Sequence, residues 1–286
     1  MRREAWLALL ILVPFAAGGC AGAAIALPAA AIAYKGASKA SEASRPITDS
    51  EEYYVGRAVA ARILGRYKLD QNPKLTQYVN EVGQTVAQKS TRPNPFKGYH
   101  FAVLDTQEIN AFACPGGIIF ITRGLIQTCN NEDQLAAVLA HEVGHVANKD
   151  GINSISQARW TQVFTTMGKE AATVYGGSTV AGLVSLFEGS IDDVFKTIVV
   201  NGYSRQAEET ADAAALTELT RAGYDPAAMV VLLTTMEAKG AGASSGIFKT
   251  HPPTSERLAK VKASVGQSPE SKGEKIRTER FKQMVS

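Results

Sequence analysis

Between about residues 50 and 265, apolar positions recur mostly at the three-to-four-residue spacing of helices with a buried face. Glycine, proline and capping residues cut that pattern into predicted helices at 51–66, 73–90, 131–149, 204–222, 225–238 and 254–264. One region keeps a different rhythm. From His100 to Asp105 and from Ile118 to Thr122, β-branched and aromatic residues alternate as in short strands, with a turn signal at Pro115-Gly116-Gly117 between them. A mainly helical chain with a small sheet near 99–122 is an α+β domain.

The 131–149 helix carries the chemistry. Asn131 reads as its N-cap, Gln134 as a capping-box partner, and Glu132 and Asp133 as first-turn acids. The run up to Ala140 is apolar all round, so the helix should be buried. His141, Glu142 and His145 then enter that core, at a cost unless something compensates them. Residues four apart share a helix face, so two imidazoles can reach one metal ion. Glu142, about 100° round the helix, can touch a metal-activated water without being a ligand. Gly144, mid-helix, costs about 1 kcal/mol relative to alanine and suggests that another backbone passes close by. A catalytic zinc has three protein ligands and one open position. Glu208 and Asp212, one turn apart in the 204–222 helix, offer a third ligand and an acceptor for a ligand histidine's N–H. The alternative is an ordinary solvated acidic face.

Four blocks in order carry a resemblance: Asn110 to Leu125, His141-Glu-x-x-His145, Ser204-Arg-x-x-Glu208-x-x-Ala-Asp212, and His251-Pro-Pro-Thr-Ser-Glu-Arg257. Together they resemble peptidase family M48, which includes the CAAX prenyl endopeptidases, the HtpX-type membrane proteases and the BepA-like periplasmic proteases. The resemblance implies a zincin-like metallopeptidase domain with one Zn2+ per chain, held by His141, His145 and Glu208, with Glu142 as general base and Asp212 behind the ligands. It also implies an edge strand bordering the cleft, with Asn110, Ala111 and Phe112 at the substrate, where an extended peptide adds by main-chain hydrogen bonds. A hairpin that merely packs on the zinc helix is the alternative. His251 has two possible roles: donor to the oxyanion, or a ligand that blocks the open zinc position. Tyr203 and Arg257 are weaker oxyanion candidates, and Cys114 replaces a plain apolar residue.

The ends of the chain speak to its address. Basic Arg2-Arg3 and an apolar run to Phe15 read as a signal peptide over 1–19, and the small residues before Cys20 resemble a bacterial lipobox, with Ala17 where a larger aliphatic is usual. Lipidation of Cys20 then implies a linker over 20–46, a zinc metallopeptidase domain over 47–266 and a basic polar tail over 267–286, solvated by default. By resemblance to bacterial lipoproteins, the absence of aspartate at Ala21 and Gly22 implies the outer membrane, facing the periplasm of a bacterial envelope. An uncleaved anchor is the rival reading, opposed by Pro14 and Pro28. The uncharged stretch 171–187 suggests a cover over the cleft. Cys114 and Cys129 sit in hydrophobic patterns and read as buried free thiols, although an exported chain permits a disulfide. A net charge of +3 with no basic stripe excludes nucleic acid as partner and assigns no oligomeric state. The expected function is a zinc endopeptidase acting on unfolded or extended envelope proteins in quality control. The alternative is a non-proteolytic chaperone or assembly factor for outer-membrane proteins. A prenyl-peptide endopeptidase is disfavoured by the lack of multiple membrane spans.

Overall fold

The alternating segments form a three-stranded sheet in the computed structural model, which describes residues 46–155, 188–240, 246–251, 255–265 and 272–285. Strands β1 (His100–Leu104), β2 (Ala111–Cys114) and β3 (Ile118–Thr122) lie in the order β1-β3-β2. β1 runs parallel to β3 and β2 antiparallel to it. The 3-10 turn Pro115–Gly117 closes the β2–β3 hairpin, with Gly116 at φ +75°. Helix α1 (Asp49–Leu64) lies directly on that turn: a Cβ on Gly56 would sit 1.8 Å from the Pro115 carbonyl oxygen. Buried Glu52 accepts the Gly116 N–H at 3.0 Å and pairs with Arg92 at 2.8 Å. The period of two divides the sheet between two cores. Phe101, Val103, Ala111, Ala113, Ile119 and Ile121 join one, while Leu104, Phe112, Cys114 and Phe120 join the other, beneath α1.

Each predicted helix is present with ends shifted by up to three residues, and local chemistry explains the ends. α1 begins at Asp49 because Thr48 and Glu51 form a capping box. α2 (Pro73–Ala87) starts where the Asn72 side chain accepts two backbone N–H groups and Pro73 occupies the first turn. After the single turn α3 (Arg123–Ile126) comes α4 (Glu132–Ala147), capped by Asn131, whose side chain accepts the Gln134 N–H at 2.9 Å. The Gln134 side chain turns instead to the Asn130 N–H, so no capping box closes there. α4 is buried from Glu132 to Val146, as its apolar run predicts. Then follow α5 (Asp150–Asn153), α6 (Glu188–Lys196) with a π turn to Asn201, and α7 (Arg205–Ala222), capped by Ser204. α8 (Ala227–Gly240), α9 (Ile247–Thr250), α10 (Ser255–Val265) and α11 (Glu274–Val285) complete the described chain.

α4 and α7 cross at a pair of small residues. A Cβ on Gly144 would lie 3.1 Å from both the Cα and the carbonyl oxygen of Ala211, so the backbone approach expected from Gly144 is real and its partner is α7.

The basic tail is not the solvated segment expected. α11 packs its Phe281, 4% exposed, into the main core, and its arginines reach the first turn of α4. Arg280 Nε lies 2.6 Å from Glu132 Oε2, and Arg277 Nη2 lies 3.0 Å from Asp133 Oδ1. Tyr78 and Tyr224 also donate to Glu132, at 2.9 and 3.1 Å. One aromatic anchor among many charges gave no periodic signal, and its acidic partners lie far off in sequence. The 171–187 stretch and the Cys20 segment fall outside the described residues. Among the described residues no helix is long and apolar enough to cross a membrane.

Two outcomes follow from this packing. Gly144→Val should destabilise the protein by about 1–3 kcal/mol in a denaturant melt, the usual cost of overpacking. Glu218 on α7 is 2% exposed, its Oε2 has no hydrogen-bond partner among the described residues, and burial raises its pKa from 4.5 to about 8. Between those values the folded chain keeps a proton that the unfolded chain has lost, so stability falls as pH rises through that window. Glu218→Gln should flatten this slope and be more stable than wild type at pH 7 by roughly 2–3 kcal/mol, read from melts at pH 5 and pH 8.

Candidate metal centre

The helical repeat of α4 stacks His141 and His145 on one face, and their Nε2 atoms lie 3.1 Å apart. The Gly144–Ala211 crossing brings Glu208 to the same point. Its Oε2 is 3.5 Å from His141 Nε2 and its Oε1 is 3.4 Å from His145 Nε2. His251 joins from the end of α9, with Nδ1 2.9 Å from Glu208 Oε1 and 3.3 Å from His141 Nε2. Gly202, at φ +83°, allows that approach, since a Cβ there would lie 2.6 Å from the Thr250 carbonyl oxygen. His100, by contrast, is exposed on β1 and lies outside the cluster.

These four buried residues each offer one atom within 4.8 Å of the others. Donors at about 2.0–2.1 Å from a tetrahedral ion sit roughly 3.3 Å apart, and the separations here bracket that value. The oxygens of Glu142 and Glu208 are buried without a hydrogen bond among the described residues. Arg257 Nη1 stands 2.7 Å from Glu208 Oε2, an ion pair whose alignment falls short of a hydrogen bond. Unsatisfied buried acceptors cost about 1–3 kcal/mol each, more when charged, and a cation between them removes that cost. The site therefore fits a divalent metal on its donor types, spacing and unmet lone pairs.

The ligand candidates are held from behind. His141 Nδ1 is 3.0 Å from Asp212 Oδ1, and Arg257 grips Asp212 with two bonds, Nε–Oδ2 at 2.8 Å and Nη2–Oδ1 at 2.7 Å. Arg257 is thus committed to two carboxylates and is not placed as an oxyanion donor. Burial alone would raise the Asp212 pKa, but Arg257 and His141 outweigh it and bring it down to about 2. For His141 burial works downward, yet Asp212 and Glu208 prevail and lift it to about 10. His145 has its own acid, one that sequence reasoning missed: its Nδ1 lies 2.8 Å from Asp150 Oδ2. Asp150 returns because Lys149, just past the end of α4, takes the left-handed conformation at φ +59°. The only signal was an acid five residues after His145, a spacing that no helix face explains. On the other side of His145 the Tyr203 ring stacks at 4.1 Å, and its hydroxyl reaches to 3.4 Å from the Ala113 carbonyl oxygen.

That contact links the cluster to β2, an edge strand of the sheet. Antiparallel pairing alternates, and Asn110 accepts the Thr122 N–H at 3.0 Å, so Ala111 and Ala113 turn their main-chain groups to the free edge. The Ala111 N–H is met by the Asn110 side chain at 2.9 Å. Phe112 is fully buried under α1, so its side chain is not available to a substrate and the relevant atoms are main-chain ones. Asn110 is likewise 2% exposed. Cys114 and Cys129 are free and buried, as their surroundings predict, and burial raises both thiols, Cys129 to about 12.

Comparison with known proteins places this arrangement. The model of peptidase family M48 matches residues 73–265. The beta-barrel assembly-enhancing protease of Escherichia coli (strain K12) is 28% identical over 229 residues, covering 79% of this chain and 46% of that protein. A protease HtpX homolog of Salinibacter ruber is 25% identical over 76% of this chain and 84% of its own. The mitochondrial metalloendopeptidase OMA1 of Schizosaccharomyces pombe is 30% identical over 53% of this chain and 42% of its own. The chain spans about half the length of the first of these relatives. With a family match that covers the sheet, both histidines of α4, Glu208 and Arg257, this chain belongs to peptidase family M48.

Proposed function

We propose that this chain is a zinc-dependent endopeptidase that hydrolyses extended or unfolded polypeptide in the bacterial cell envelope. The observation that carries the proposal is the convergence of His141, His145 and Glu208 beside Glu142, whose carboxylate accepts no hydrogen bond among the described residues. His141, His145 and Glu208 hold the ion, with Asp212 and Asp150 fixing the two imidazoles. A zinc ion held there would supply Lewis acidity towards a water and a peptide carbonyl. Glu142 takes the proton from the attacking water on a carboxylate oxygen and returns it to the departing amine as the C–N bond breaks. Products are a carboxylic acid and an amine, and Glu142 ends as it began. The Ala111 carbonyl and the Ala113 N–H, turned to the outer edge of β2, favour a substrate in extended form, which would add there by displacing the Asn110 and Tyr203 side chains from the neighbouring groups.

The position of His251 supports the blocking role over the oxyanion role, since its Nδ1 falls among the ligand atoms and its Nε2 is 3.9 Å from Glu142 Oε1. Substrate then has to displace it. A periplasmic address, Cys20 lipidation and a place in outer-membrane protein quality control are inferred from the signal-like segment and from the similarity to the beta-barrel assembly-enhancing protease of Escherichia coli.

Glu142→Gln should keep one zinc per chain and lose at least about a hundredfold of cleavage of unfolded casein, the usual weight of a general base. Glu208→Ala should lose the zinc as well, measured by metal analysis beside activity. Equal cleavage by Glu142→Gln and wild type would remove the base assignment. If neither cleaves while both suppress aggregation of unfolded outer-membrane protein, the chaperone reading takes its place. Asp150→Asn should weaken zinc binding by roughly 10–100-fold in a chelator competition, the typical effect of losing a ligand's supporting carboxylate. No change there would show that Asp150 merely ends the helix.

A further inference from the structure

Among the described residues only Lys97 and Lys149 take a positive φ without being glycine. Lys149 lies just past the end of α4, where glycine is the usual choice, and a lysine there carries strain that its surroundings must meet. Here the side chain supplies a hold. Lys149 Nζ donates to Asp49 Oδ1 at 3.1 Å and stands 3.5 Å from Glu52 Oε2, both on α1. Asp49 is half exposed, and a pair of that kind is weak. Glu52 is fully buried, so its attraction for the ammonium is screened less. Glu52 is itself fixed, its Oε1 accepting from Arg92 at 2.8 Å and from the Gly116 N–H at 3.0 Å. Next in the chain is Asp150, 2.8 Å from His145 Nδ1, and then Gly151, where a Cβ would lie 3.1 Å from the Pro115 ring. Asp150 therefore sits between two residues braced by α1, one directly and one through the β2–β3 turn.

We propose that Lys149 is a positioning residue of the metal centre: Glu52 and Asp49 hold it in the left-handed conformation, and that turn aims Asp150 at His145. The inference rests on the metal-centre reading and extends the site to α1, which lies ahead of the residues 73–265 matched by the family's model. A carboxylate behind a ligand imidazole fixes its tautomer and its direction. With Asp150 turned away, the His145 ring would lose that hold and its Nε2 would meet the ion less well. Glycine makes the same backbone turn without strain, so a clamp is needed only because the residue is not glycine. A lysine that merely ended the helix and paired at the surface would affect stability and leave His145 alone.

The test measures zinc affinity of the full-length chain by chelator competition, with thermal melts of the metal-free protein to check folding. Lys149→Ala keeps the strain and loses the hold, so it should weaken zinc binding roughly tenfold, no more than Asp150→Asn does. Lys149→Gly makes the turn unaided and should recover to within about threefold of wild type. Glu52→Gln should weaken binding in the wild-type chain and add nothing in the Lys149→Gly background. Wild-type affinity in Lys149→Ala, equal losses in the alanine and glycine variants, or the same Glu52→Gln loss in both backgrounds overturns the proposal. A second readout needs no metal. In protein carrying nitrogen-labelled histidine, a ring N–H held by a carboxylate exchanges slowly and gives a sharp downfield proton signal. The His145 signal, identified by its loss in Asp150→Asn, should persist in Lys149→Gly and disappear in Lys149→Ala. If wild type binds no zinc and this pattern holds, the positioning role stands and the metal reading falls. An unchanged signal in Lys149→Ala removes the positioning role.

Discussion

The site depends on a contact between two backbones. Gly144 lies between the two histidines of α4, and Ala211 lies between Glu208 and Asp212 on α7. Helices usually pack with their axes about 8–10 Å apart, held off by the side chains between them. Here one partner has no side chain and the other has a single methyl, so short side chains from both helices meet at one point. Glycine in a buried helix is a cost taken locally. The return is positional: two imidazole nitrogens 3.1 Å apart and one carboxylate, 3.4–3.5 Å from them, are brought together by the crossing of two helices. Rigid placement of this kind is what metal catalysis asks of its protein.

Charge is the second constraint, and it follows from the first. Glu142, Glu208, Asp212 and Asp150 converge in or at the edge of the core, where Arg257 pairs with Glu208 and Asp212. Such a cluster is stable only if further positive charge is supplied. The raised pKa of His141 shows that protons can supply part of it. A divalent ion supplies it without consuming the lone pairs of the imidazoles on hydrogen, and so competes with those protons for the same place.

Much of this was legible in the sequence because it is local. The spacing of His141 and His145, the caps at Asn131 and Ser204, the Gly144 signal and the strand alternation each follow from a few neighbouring residues, and each is found where expected. Glu208 was harder, since residue types made it plausible but only the family's order of motifs singled it out. What escaped is non-local or conformational. Asp150 needs a left-handed Lys149 to reach His145, and no periodicity announces a single dihedral angle. α11 is anchored by one phenylalanine and by acids of a distant helix.

The two ends of α4 show the same physics resolved in opposite ways. At its start Glu132 and Asp133 are buried, and arginines and tyrosines of α11, α2 and the α7–α8 turn answer them directly. That end is closed: every charge has a partner within the chain, and the acids also favour the positive end of the helix dipole. Near the other end Glu142 and Glu208 keep oxygens that nothing in the described chain satisfies with a hydrogen bond. The chain places imidazoles there and holds each α4 imidazole by a carboxylate from behind, an arrangement of donors that fits a divalent cation.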